Sequence, residues 1–197
     1  IVAEASATGC DSLACLEVSG IAAAALEAGA DRIIDIKREK DLVEIPIPDA
    51  RSDIKSIKLP PFLLEADCVI NLPIFKSHVS MVFSCALKNI KGVVQDKVHV
   101  QMHQTDLAAA MMDMWSVMKN VNLTVADLIR PMEGFGPHSG SPIDFGCVVA
   151  GSDPVAIDAT VCRMVGLPVD KVDYFLPALE RGIGKVDEAD IEVRGNS

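Results

Sequence analysis

The sequence predicts an α/β fold: a three-layer α/β/α domain around a mostly parallel central sheet. Three observations predict it. Apolar, β-branched runs of strand length alternate with helix-period segments along the chain. The first alternation, over residues 1–5, 16–28 and 32–36, has the short connections of a βαβ unit. Half of the 197 residues are hydrophobic and 23% are charged, which is enough apolar material for a substantial core. The length fits one domain, so residues 1–197 are read as a single α/β domain. The chain opens on Ile1, in what reads as mid-strand. It is therefore expected to be a fragment of a longer protein that lacks an N-terminal element of the sheet.

Taken in order, residues 1–5 read as a short strand and residues 16–28 as an Ala-rich helix, with Gly29 as its C′ residue. Residues 32–36 read as a β-branched strand. From 37 to 61, charge and proline alternate with short apolar runs, as in extended edge elements or a hairpin. Residues 68–72 form the most apolar strand candidate, expected to be an inner strand buried on both faces and ended by Pro73. Residues 106–119 read as the longest helix, with Met111, Met114, Trp115 and Met118 at helical spacing as core filler. Residues 123–127 read as a strand, 130–142 as a Gly/Pro/Ser-rich loop and 147–150 as a strand. Asp153 fits an N-cap and Pro154 an N1 position for a helix to about Val165. Residues 169–181 read as a further helix and 191–193 as a last strand.

Charge excludes whole classes of function. Lys and Arg number 18 against 28 Asp and Glu, a formal net charge of -10, with a pI near 4.8. A general nucleic-acid binder, or a binder of anionic membranes, needs a basic surface instead. The mean hydropathy is positive, at +0.31, yet no run of about 18 residues lacks charge and turn residues, and residues 1–7 have no basic leader region. A cytoplasmic location is expected. Cys10, Cys15, Cys68, Cys85, Cys147 and Cys162 make no CxxC pair, so no iron–sulfur cluster or disulfide is expected within residues 1–197, and no metal ligands are assigned.

Against this acidic background, residues 71–103 concentrate base: Lys76, Lys88, Lys91 and Lys97, with three of the four histidines, His78, His99 and His103. The cluster starts just past the strand read at 68–72, and open α/β sheets bind ligands at the carboxyl ends of their strands. Ammonium and imidazole groups there suit a phosphate or a carboxylate. Asn71 and Asn89 add hydrogen-bonding amides. Residues 133–140 carry Gly134, Gly136 and Gly140, which let backbone N–H groups converge on an anion. This is neither a Walker loop nor a dinucleotide fingerprint. Asp158, one helical turn past the Asp153 cap, is read as a buried partner for a Lys or His. Lys88, His78 and His103 are the catalytic candidates. Asn71, Lys76, Asn89, Lys91, Gly134, Gly136 and Asp158 are the ligand-binding candidates. Lys76, His78, Lys88 and Asn89 are expected to face one cleft, with residues 134–140 as its opposite wall.

Four ordered blocks carry a family resemblance. Asp67-Cys68-Val69-Ile70-Asn71-Leu72-Pro73-Ile74-Phe75-Lys76-Ser77-His78 resembles a D-hydrophobic-I-N-x-P-x-x-K-T/S-H signature, and Ala86-Leu87-Lys88-Asn89-Ile90-Lys91-Gly92 an A-L-K-N-x-K-G signature. Glu133-Gly134-Phe135-Gly136-Pro137 and Ala150-Gly151-Ser152-Asp153-Pro154-Val155-Ala156-Ile157-Asp158 supply the others. Together they resemble the prokaryotic domain of unknown function 362. The resemblance implies that some relatives carry a ferredoxin-type iron–sulfur module, which has no counterpart here. Relatives also begin with a K-P-N strand and a helix, neither of which is seen in this chain. A second, distant resemblance is to lactate racemase: the order and spacing of His78, Lys88 and His103 are similar to those of a Lys that tethers a nickel-pincer nucleotide and its flanking histidines. Here Ala86-Leu87 stand where the racemase has Gly-Gly.

Two functions are carried forward. One is an enzyme or cofactor-handling domain that binds an anionic small molecule at the Lys/His cluster. The other is a redox partner or assembly module that docks to an iron–sulfur protein or to a ferredoxin segment.

Overall fold

The computed structural model describes residues 1–195. In chain order the elements are β1 (Val2–Glu4), α1 (Ser12–Val18), α2 (Ile21–Glu27), β2 (Ile33–Asp35), β3 (Val43–Pro46), β4 (Ser56–Leu59), α3 (Pro61–Glu65), β5 (Val69–Asn71), β6 (Ile74–His78), β7 (Val82–Ser84), α4 (Ala86–Asn89), α5 (Asp96–His103), α6 (Leu107–Val117), β8 (Val121–Phe135), β9 (Ser139–Pro142), β10 (Cys147–Gly151), α7 (Pro154–Met164) and α8 (Phe175–Glu180), with short 3-10 turns between some of them. The fold is α/β. The chain groups into two compact units, residues 1–66 with 91–113, and residues 67–90 with 114–197.

In the first unit, β1 and β2 pair in parallel, Val2 beside Ile33 and Glu4 beside Asp35. The expected βαβ unit is therefore present. Its crossover is two helices rather than one. Asp11 caps α1 by accepting the Ala14 N–H, and Gly20, at φ 77°, breaks the run before α2. A left-handed residue cannot continue a right-handed helix. The 37–61 segment holds the antiparallel hairpin β3–β4, with Val43 beside Leu59. The loop inside that hairpin is tied down by the fully buried Asp113, which accepts from Arg51 N at 3.1 Å, Ser52 N at 2.9 Å and Ser52 Oγ at 2.6 Å. Ile36, Ile57, Leu59, Met102, Met111 and Met112 make its core.

In the second unit, β8 is the axis of the sheet. β5 and β6 run parallel to it, and this is the parallel heart of the sheet. β9 and β10 pair with β8 antiparallel, and β7 extends β6 antiparallel. Asp153 caps α7 through the Val155 and Ala156 N–H groups, with Pro154 in the first turn, as expected. Phe83, Leu87, Met114, Leu128, Val161 and Tyr174 fill the core, where the Phe83 and Tyr174 rings meet edge-on at 5.7 Å.

Several local expectations are corrected. The 68–72 run is not buried on both faces: β5 is hydrogen-bonded to β8, Ile70 is 51% exposed and Leu72 62%, and Cys68 is exposed. With Ile74, 44% exposed, they form a period-2 apolar row on one face. The 130–142 loop is instead the end of β8 and its hairpin partner β9, paired from Met132 beside Pro142 to Phe135 beside Ser139. Residues 169–181 divide into a 3-10 turn, Val169–Lys171, and the short α8. Residues 191–193 form no strand.

Candidate functional site

The second unit positions most of the predicted site. Alternation along β6 puts Phe75 and Ser77 on one face, where Phe75 stacks on Phe83 at 5.4 Å, and Lys76 and His78 on the other. Lys76 lies opposite Ser84, the last residue of β7, and His78 opposite Val82. After Ser84 the chain turns at Cys85 straight into α4. Lys88 and Asn89 end that helix.

A helix of four residues is far too short to hold itself, and α4 is held from outside. Asp158 on α7 accepts Ala86 N at 2.7 Å on one carboxylate oxygen and Leu87 N at 3.0 Å on the other. The indole of Trp115 donates to Leu87 O at 2.9 Å. Asn71 donates to Ala86 O at 2.9 Å and accepts from the Asn89 side chain at 2.8 Å. The Asn71 amide also reaches Thr124 Oγ1 at 3.4 Å. Asn71, Asn89 and Asp158 therefore fix the helix that bears Lys88. Asp158 serves backbone N–H groups, and this corrects its reading as the partner of a Lys or His.

Burial sets the electrostatics. Asp158 is fully buried, and desolvation raises its carboxyl to about 7 although the Leu87 and Ala86 N–H groups favour the charged form. Burial and the neighbouring Asp158 charge push the Cys85 thiol and the Tyr174 phenol well up. Lys88 moves the other way. Desolvation, then the nearby Lys76 charge, lower its ammonium to about 8. Among the described residues, no carboxylate pairs with it. His78 is buried, and its Nδ1 accepts the Ser80 N–H at 3.2 Å.

The glycines have a packing role. Gly136 donates to Ser77 Oγ at 3.2 Å, and a Cβ at 136 would overlap the Ser77 carbonyl. Gly134, at φ 81°, sits opposite Gly140 in the β8–β9 hairpin.

Lys91 and His103 belong to the first unit. Lys91, 3% exposed in the turn Ile90–Val93, donates its Nζ proton to His103 Nε2 at 2.7 Å. The His99 ring lies 5.4 Å from that of His103, and His99 Nδ1 is 3.2 Å from Thr8 Oγ1. The structure therefore pairs Lys91 with His103 and groups Asn71, Lys76, Lys88, Asn89 and Asp158 around α4. A wide concavity of about 730 Å³ in the first unit is lined by Asp96, Lys97, Val100, Gln101 and Gln104, and by none of the predicted site residues. Among the described residues, no group of three or more His, Cys, Asp or Glu side chains is arranged to hold a metal ion.

Sequence reasoning missed Cys85, Trp115, Thr124 and Tyr174 around α4, and Thr8 beside His99. Cys85, immediately before Ala86-Leu87-Lys88-Asn89, and the single tryptophan of the chain were the available signals. Thr124, Tyr174 and Thr8 are far from their partners in sequence and carry none.

These features define an α/β protein whose mixed sheet leads into a short, externally pinned helix with a desolvated lysine. The chain belongs to the family described as Domain of unknown function (DUF362), whose model matches residues 1–163. It is also similar to the "Thylakoid-associated protein sll1697" of Synechocystis sp. (strain ATCC 27184 / PCC 6803 / Kazusa), at 27% identity over 138 residues, which is 64% of this chain and 43% of that protein. The chain thus matches less than half of that relative's length. No solved structure matches the chain. Among the described residues, no helix is long and apolar enough to cross a membrane.

Proposed function

We propose that this domain binds an anionic small molecule, a phosphate or a carboxylate, through Lys76 and Lys88, and acts as an enzyme or cofactor-handling domain. One observation carries the reading: Lys88 is half-buried, the charge of Lys76 disfavours its ammonium, and no carboxylate among the described residues pairs with it. Two cations about 4 Å apart repel by roughly 1 kcal/mol in water and more where solvent is excluded. An anion converts that cost into charge-assisted hydrogen bonds of about 1.5–3 kcal/mol each. This reading assigns proton transfer in this unit to Lys88 and His78. The reading places the chain in the cytoplasm, where exposed thiols such as Cys10, Cys15 and Cys68 stay reduced. The test is calorimetric titration of the protein and of Lys88→Met with inorganic phosphate. Affinity at least tenfold weaker in the variant supports the reading, and equal affinity refutes it.

A second reading, docking to a ferredoxin-type iron–sulfur protein, draws on the exposed row Ile70, Leu72 and Ile74. It expects such a protein to co-elute with this chain and to lose it on Leu72→Asp. Absence of co-elution with the unsubstituted chain removes that reading.

A further inference from the structure

We infer that the outer edge of β2 is a dimerisation edge, at which two copies of this chain pair β2 with β2, antiparallel, across a two-fold axis at Ile34. The inference concerns the first unit and is independent of the anion-site reading.

The main chain leaves this edge open. β1 and β2 form a sheet of two strands. The Val2 N–H bonds Arg32 O at 2.9 Å, so in the parallel register Arg32 and Ile34 turn their main-chain groups toward β1, and Ile33 and Asp35 turn theirs away. Beyond the far side of β1, the Ala5 N–H is taken by Gly92 O at 2.9 Å. Beyond the far side of β2, no strand pairs among the described residues. A groove of about 340 Å³ runs there instead, lined in succession by Arg32, Ile33, Ile34 and Asp35, then by Arg38 and Glu39. Side chains alternate between the two faces of a strand, so four consecutive residues share one groove only along its edge. Outward N–H and C=O groups on such an edge are a template for another strand.

Charge selects the occupant. Arg32 opens the groove and Glu39 closes it, and neither side chain has an ion-pair partner among the described residues. Arg38, between them, is held by Asp11 and Asp35 of its own copy. The Gln95 side chain donates to Glu39 O at 2.7 Å, which fixes the acidic end of the groove. A groove that is positive at one end and negative at the other is complementary to itself turned end for end. In antiparallel pairing about Ile34, Ile33 and Asp35 of one copy exchange N–H···O bonds with Asp35 and Ile33 of the other. Arg32 of each copy then lies across from Ile36 of the other and extends toward its Glu39. A register centred on Ile33 would instead set Asp35 against Asp31, a like-charge pair that disfavours it. The contact is isologous, so it closes at two chains.

The test is sedimentation velocity of the full chain at concentrations up to about 1 mM, because so short a pairing gives weak affinity. Amide exchange at Ile33 and Asp35 is followed over the same range. We expect a concentration-dependent dimer, with protection of these two amides rising as it forms. Arg32→Glu and Glu39→Arg should each weaken the dimer at least tenfold while circular dichroism shows the fold kept. An equimolar mixture of the two variants should regain it, because the reversed charges then face their opposites. A monomer at every concentration overturns the proposal and leaves the edge to a different chain. A dimer that neither substitution weakens, or that the mixture does not regain, places the contact elsewhere and overturns it equally.

Discussion

The carboxylate of Asp158 accepts the Leu87 amide at 3.0 Å, and so a residue on α7 closes a helix that lies 71 residues earlier in the chain. Its other oxygen takes the Ala86 amide at 2.7 Å. Replacing Asp158 with Ala leaves two buried N–H groups unpaired, each costing about 1–3 kcal/mol. We expect Asp158→Ala to lose about 3 kcal/mol in urea unfolding. A loss below 1 kcal/mol would show that α4 does not depend on this carboxylate.

The same residue imposes a pH dependence. Its carboxyl is raised from 3.8 to about 7 in the folded chain, so between these values the folded state holds a proton that the unfolded state has released. Its contribution to stability is full below about pH 4, falls by about 1.4 kcal/mol per pH unit through the window, and is flat above 7. Asp158→Asn carries no such titration. The difference in unfolding free energy between the two proteins should therefore slope from pH 4 to 7 and level off above. A difference that is constant over that range contradicts the assignment.

Lys88 gives the opposite sign. Its ammonium is lowered from 10.5 to about 8, so the unfolded chain binds the extra proton between these values and stability rises with pH across them. Below pH 8 the buried charge is a burden. Lys88→Met should stabilise the protein at pH 7 by about 1 kcal/mol, a figure discounted for the solvent that still reaches the amine, and the gain should vanish toward pH 10.5. Thermal melts of both proteins at pH 7 and pH 10 test this. A destabilised variant at pH 7 would mean that the ammonium has a favourable partner.

Gly136 is fixed by a main-chain contact. A methyl group there overlaps the carbonyl of Ser77, and a main-chain atom in a paired strand cannot swing aside. Gly136→Ala should cost about 2–3 kcal/mol by overpacking. Shortening the Ser77 side chain, in Ser77→Gly/Gly136→Ala, should restore little of it. Full rescue by the double variant would place the obstruction in the side chain.

In the first unit, Asp113 is the corresponding buried carboxylate, with the N–H groups of Arg51 and Ser52 and the Ser52 hydroxyl as its donors. Asp113→Ala should cost about 3 kcal/mol and free the loop between β3 and β4, so that amide exchange at Arg51 and Ser52 accelerates. Unchanged protection at these two amides would refute the clamp.

By itself the sequence determined the features whose causes lie between near neighbours. The alternation of periods gave the α/β class and the parallel β1–β2 unit. Asp153-Pro154 specified the start of α7, because a cap and its N–H groups are only two or three residues apart. The basic cluster and the family blocks were legible as composition and spacing. Tertiary structure decided the rest. Residues 68–72 are apolar enough for an inner strand, yet Ile70 and Leu72 are more than half exposed, because burial depends on which elements come to lie on each face. Residues 130–142 look like a loop by composition, but β8 runs on to Phe135, with Met132 paired to the distant Lys76 of β6, and folds back on β9. Asp158 carries no local sign that it will meet Ala86 and Leu87, or that desolvation will hold its carboxyl near 7. The chemistry of Lys88 is of the same kind: its identity is in the sequence, but its lowered affinity for a proton comes from burial and from Lys76, which only the folded chain brings beside it.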